Sequence, residues 1–100
     1  MSASVIRHVI VRGTVQGVGF RAFVQRHALE RGLAGWVRNR RDGTVEAVLA
    51  GAAAEVDAAL EALRKGPSSA KVKAVLVSEA GEPELRERLA GELFSMLRTV

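Results

Sequence analysis

Residues 35–50 read GWVRNRRDGTVEAVLA, and this stretch decides the fold. Asp42-Gly43 separates two runs of strand composition, 35–41 and 44–50. In the second run Val45, Ala47 and Leu49 alternate with Thr44, Glu46 and Val48, the period of a strand. Asp-Gly between two such runs signals a hairpin; the expected form is a type I′ turn, with positive φ at both central residues. Helical patterns flank the hairpin. Upstream, Phe20, Phe23, Val24, His27 and Ala28 share one face, and Gly32 stands where a C′ residue ends a helix. Downstream, Ala53–Lys65 carries a stripe of Val56, Ala59, Leu60 and Leu63, and Gly66-Pro67 stops it.

Two more strands lie further out. VIRHVIVR at 5–12 places Val5, Val9 and Val11 on a mainly apolar side and His8 and Arg12 on the other. Lys71–Ser78 is the fourth strand. The order β-α-β-β-α-β is a split βαβ arrangement, an α+β domain with two helices on one face of an antiparallel sheet. With no linker, low-complexity run or repeat, residues 1–100 form one domain. Residues 81–91 are charged, with glycine at both ends and Pro83 near the start. Glu84–Leu89 reads as a helical turn or a loop, and Phe94–Leu97 as a short fifth strand at a sheet edge.

An apolar fraction of 48% and 26% charged residues describe a folded domain, not a disordered chain. The absence of cysteine excludes disulfides, thiol chemistry and thiolate metal sites, and agrees with a cytoplasmic address. MSASVIRHVIVRG has neither the apolar core nor the cleavage site of a signal peptide, and no apolar run is long enough to span a bilayer. The charge is uneven. Residues 1–45 hold eight arginines against Glu30 and Asp42, a net of +6, while residues 46–100 hold seven basic and nine acidic groups, a net of −2. Such asymmetry suits a polyanion, a pocket for one small anion, or a solvated face.

The loop GTVQGVGFR, residues 13–21, joins the first strand to the first helix. Its glycines permit unusual φ, so that successive N–H groups can point inward around an oxyanion. The first helical turn adds free N–H groups and a partial positive field. Arg21 adds a rigid fork that matches two phosphate oxygens. The loop lacks the third glycine of a dinucleotide fingerprint and the GK[ST] of a Walker A loop. On the residues alone it is either an anion cradle or a tight turn with Arg21 as an ordinary exposed arginine.

Within WVRNRRD, Trp36 reads as packing at the sheet, and Arg40 and Arg41 as a charged hairpin face. Asn39 is unusual, because asparagine is depleted in strands; it has either a positional task or a bulge or edge site. His27, on the buried stripe, reads as a partly buried histidine with its hydrogen bonds met, and His8 has no matching His, Asp or Glu arrangement. No zinc, calcium or GxSxG pattern is present. Neither an arginine nor an asparagine amide is a base at neutral pH, although the amide can hold a water. A site built from Arg21 and Asn39 would therefore need a good leaving group, such as a carboxylate leaving phosphorus, with positioning and charge stabilisation doing the rest.

These residues resemble the acylphosphatase family. Its first signature, G-x-[V/A]-Q-G-V-x-[aromatic]-R, is matched throughout by Gly13–Arg21. The second, G-[aromatic]-V-x-N-x-x-x-G-x-V with a later glycine, is matched by Gly35–Val45 and Gly51. The similarity spans roughly residues 5–78. It implies a ferredoxin-like fold and a hydrolase that converts acyl phosphates to a carboxylate and inorganic phosphate. Arg21 would bind the phosphoryl group with the backbone N–H groups of Gln16, Gly17, Val18, Gly19 and Phe20. Asn39 would orient the attacking water, and the substrate's own phosphate would help to take up its proton. The resemblance calls for no metal or cofactor, no nucleic acid or membrane partner, and a monomer that inorganic phosphate inhibits. The departure is C-terminal: the chain ends Leu97-Arg98-Thr99-Val100, without the family's frequent final arginine and aromatic residue. A similar domain opens large hydrogenase maturation proteins, but the zinc-finger cysteines of those proteins are missing, which favours a free-standing enzyme. The competing function is a non-catalytic RNA or polyanion-binding module. With one tryptophan, three phenylalanines and no tyrosine, the chain has little base-stacking capacity.

Overall fold

The computed structural model describes residues 3–100; Met1 and Ser2, which open the stretch read for a signal peptide, lie outside them. The elements are β1 (Ser4–Thr14), α1 (Phe20–Glu30), β2 (Ala34–Asn39), β3 (Val45–Ala52), α2 (Ala53–Lys65), β4 (Lys71–Glu79), α3 (Glu82–Leu85) and β5 (Phe94–Met96). The strands form one sheet in the order β4-β1-β3-β2-β5. The first four strands pair antiparallel, while the short β5 runs parallel to β2 at the edge. This is the ferredoxin-like βαββαβ arrangement with one strand added.

Periodicity explains which faces are buried. Val9 and Val11 of β1 and Val45, Ala47 and Leu49 of β3 point to the helices and form the main core with Phe20, Val24 and Leu63. The α2 stripe is buried as the spacing requires: Val56, Ala59, Leu60 and Leu63. Helix α1 ends in a Schellman motif, in which Gly32 (φ 67°) donates to the Leu29 carbonyl at 3.1 Å and Leu33 donates to that of Ala28 at 2.9 Å. His27 departs from expectation. Its ring packs edge-on against Phe23, with centroids 4.4 Å apart, and its buried Nδ1 has no hydrogen-bond partner among the described residues. Packing against the residue one turn back holds the ring, not a met hydrogen bond. Gly35 lets β2 lie close to β3, because a Cβ there would run into the Val48 carbonyl oxygen.

The hairpin is present, but its turn is not type I′. No residue other than glycine has positive φ among the described residues, so Asp42 lacks the conformation that turn demands. Instead Gly43 alone is positive (φ 93°); its N–H donates to the Arg40 carbonyl at 3.0 Å, and that of Arg40 donates to Thr44 at 2.9 Å. Asp42 accepts bonds from the N–H and hydroxyl of Thr44, at 2.9 and 2.6 Å, which stabilises this longer loop with a glycine bulge.

The sheet's other face is partly covered. Trp36, Val48 and Ala50 pack with Leu85 of α3, and the Trp36 indole donates to the Glu84 carbonyl at 2.7 Å. The helix runs from Glu82 to Leu85, so of the expected 84–89 segment only Glu84 and Leu85 are helical, and turns follow. Beside this cluster, buried Glu46 meets Arg38 Nε at 2.7 Å and His8 Nε2 at 2.6 Å. Among the described residues no helix is long and apolar enough to cross a membrane.

Candidate active site

The 13–21 loop leaves the end of β1 and turns into α1. Gly17 (φ 74°) and Gly19 (φ 77°) take left-handed conformations there, which only glycine adopts at little cost. Among the described residues, no acceptor meets the backbone N–H groups of residues 16–21; the first helical bond runs from Phe23 to Gly19 at 3.1 Å. A row of free donors thus sits at the N-terminus of an 11-residue helix, where the macrodipole is positive. Arg21 lies in that first turn, partly buried, with no carboxylate within ion-pair distance among the described residues. Its charge is uncommitted.

Asn39 is the last residue of β2. Its backbone is held on both sides, by pairing with Val45 and by a bond from the Val100 N–H to its carbonyl at 3.2 Å. Its side-chain Oδ1 is buried and has no partner among the described residues. An orphaned buried acceptor is costly unless a water or ligand meets it.

These groups converge. A cavity of about 160 Å³ is lined by Val15, Gly17, Gly19, Arg21, Asn39 and Met96, with Phe20 and Ala22 completing it. Of the residues singled out in the sequence, Gly17, Gly19, Phe20, Arg21 and Asn39 therefore come together. Gln16 and Val18 do not line the cavity. The Gln16 amide turns to the hairpin, and the Val18 carbonyl accepts the Ser69 hydroxyl at 3.1 Å, which ties the loop to the segment before β4. Met96 escaped the sequence reading because β5 is short and its partner strand is not encoded locally; the expected edge strand at 94–97 was its one signal. Glu46 escaped because an acidic residue in an alternating strand reads as solvent-facing.

A wider groove, about 530 Å³, lies by Arg12, Arg40 and Leu76. It holds Asp42 next to its arginines, with Arg40 Nε 3.9 Å from that carboxylate, so its charge is partly met from within. Trp36, Phe20 and Phe94 are buried, which leaves no stack of exposed aromatics for bases among the described residues. No three His, Asp or Glu side chains gather as a metal site among them either.

The family model described as Acylphosphatase matches residues 7–89. An acylphosphatase of Rhodopseudomonas palustris (strain BisB5) is 53% identical over 98 residues, covering 98% of this chain and 99% of that protein. One from Bradyrhizobium diazoefficiens is 51% identical over 100 residues and covers both chains fully. The crystal structure of acylphosphatase from Bacillus subtilis superposes with a TM-score of 0.80 at 40% identity, over 93% of this chain and 98% of that one. On sequence along nearly its whole length, and on fold, this chain belongs to the acylphosphatase family.

Proposed function

We propose that this chain hydrolyses acyl phosphates without a metal, using Arg21 and the loop N–H groups of residues 16–20 for the phosphoryl group and Asn39 for the water. Family membership supports the reaction class. The observation that carries the division of labour is one small cavity lined by Gly17, Gly19 and Phe20, whose N–H groups are free among the described residues, by a guanidinium with no carboxylate partner among them, and by Asn39 with its orphaned amide oxygen. Donors and positive charge suit the phosphoryl oxygens, and they gain strength as charge redistributes in the transition state. The Asn39 Oδ1 accepts a hydrogen bond from the water and points its lone pair at phosphorus. No side chain of the cavity is a competent base, so the water's proton passes to the substrate's phosphate, and the carboxylate leaves without protonation. A monomeric state and a cytoplasmic address belong to the same proposal; the cysteine-free chain agrees with that address.

The test is hydrolysis of a synthetic acyl phosphate by the purified chain in EDTA. Full activity is expected, with inorganic phosphate competing with substrate and competing less well in high salt. Activity lost to EDTA and restored by zinc or magnesium would refute the metal-free mechanism. Purely noncompetitive phosphate inhibition would refute the phosphoryl-centred cavity.

A further inference from the structure

Gln16 belongs to the anion loop, yet its side chain leaves it. Its Nε2 donates to the Arg40 carbonyl at 2.7 Å and to the Thr44 carbonyl at 2.8 Å. Both partners are oxygens, which assigns the amide nitrogen to that side. Each carbonyl also accepts a backbone N–H of the hairpin loop, so the amide completes a closed set of bonds at the hairpin end. Arg40 follows Asn39, and Thr44 precedes Val45, the cross-strand partner of Asn39. One side chain therefore grips both arms of the hairpin, one pair beyond the residue that faces the cavity.

The sheet order gives this grip its purpose. The loop hangs from β1 and Asn39 ends β2, and β3 lies between them. Neighbouring strands are about 4.8 Å apart, so the two parts of the site start roughly 10 Å apart on different strands. No β1–β2 ladder sets their separation. The Gln16 amide spans that gap directly, with both of its N–H donors used.

We infer that Gln16 is a positioning residue, whose amide sets the distance between the phosphate cradle and the Asn39 side chain. The inference rests on the acyl-phosphate reading above. It separates two properties of the site. The cradle is made by the loop's own backbone and Arg21, so phosphate binding does not need the clasp. Attack by the water does, since a misplacement of about 1 Å costs on the order of 100-fold in rate.

Two variants test it. Gln16→Met keeps the length and removes both donors. Gln16→Glu keeps the shape but sets a carboxylate against two carbonyl oxygens; once protonated, it regains one donor. Both should lower kcat by roughly 10- to 100-fold at neutral pH, with the phosphate inhibition constant within about threefold of the parent. Relative to the parent at each pH, Gln16→Glu should recover turnover on acidification and Gln16→Met should not. Unaltered phosphate inhibition also certifies that the cradle is folded. Parent-like kcat in both variants would overturn the inference, as would a loss of phosphate affinity in step with kcat, or identical pH profiles for the two. A parent chain that hydrolyses no acyl phosphate would instead bring down the proposed function itself, and this role with it.

Discussion

Arg21 and Asn39 reach the same cavity from α1 and β2, so substitution separates their tasks. Arg21→Ala should damage phosphate binding and turnover together, because in the proposed mechanism the guanidinium would hold the phosphoryl group in ground and transition states. Arg21→Lys should recover little, since an ammonium cannot form two parallel bonds in a plane. Asn39→Ala should leave phosphate affinity nearly unchanged and slow turnover by roughly 100-fold or more, the scale of one lost transition-state hydrogen bond. Calorimetric phosphate titration beside kcat, with circular dichroism as a folding control, distinguishes the two. If Asn39→Ala lost phosphate binding as completely as Arg21→Ala, the division would be wrong. Both residues stood out in the sequence for chemical reasons: a fork beside a glycine loop, and an amide where strands disfavour one. What their neighbours leave open to them, a free guanidinium and an orphaned oxygen, was not legible there.

At the scale of elements, α2 is the simplest case. Its four-residue stripe was read from spacing alone, and all four residues are buried. Leu63, 1% exposed, lies in the main core and does not line the cavity. Leu63→Ala should cost about 2–5 kcal/mol in urea unfolding, by lost burial and a residual cavity. Turnover per folded molecule should stay close to that of the parent. A loss below about 1 kcal/mol would mean that the stripe is loosely packed. The hairpin is the instructive contrast. Asp42-Gly43 identified the connection, but the Asp42 carboxylate bonds to Thr44 and a longer loop results. That loop offers the Arg40 and Thr44 carbonyls to Gln16, which a two-residue turn at 42–43 would not.

Across the whole molecule, Glu46 joins three strands. It meets His8 of β1 and Arg38 of β2, and Arg38 reaches on to Glu87 beyond α3 at 3.3 Å. Burial alone would raise the Glu46 carboxyl, but the hydrogen bonds and charges of His8 and Arg38 outweigh it and hold the group below its ordinary 4.5. A depressed carboxylate contributes stability that is fully present above the unfolded-state value. That contribution is lost as pH falls through the lower, folded-state value. The urea midpoint should therefore decline on acidification below about pH 4.5, and Glu46→Gln should show a lower midpoint at neutral pH with a shallower acid decline. Asp42 is also held low, chiefly by the Thr44 hydroxyl bond, and should add to the acid slope that remains in Glu46→Gln. Midpoints measured from neutral to acidic pH decide it; equal slopes in parent and variant would remove Glu46 from the acid response.

The sequence by itself determined the order of the elements, the core-facing residues of β1, α1, β3 and α2, and the loop that carries the donors. Each of these is local: side-chain period reports burial, glycine marks the turns, and a helix start is also an anion site. Only the tertiary structure decided that Asn39 stands beside that loop, that Met96 closes the cavity, and that the Gln16 side chain grips the hairpin. Those relations join residues far apart in the chain, Gln16 and Thr44 by 28 positions, and so does the His8–Glu46 contact, by 38. Their separation in space follows from the strand order β4-β1-β3-β2-β5. Periodicity says which side of a strand is buried, but not which strand lies next to it.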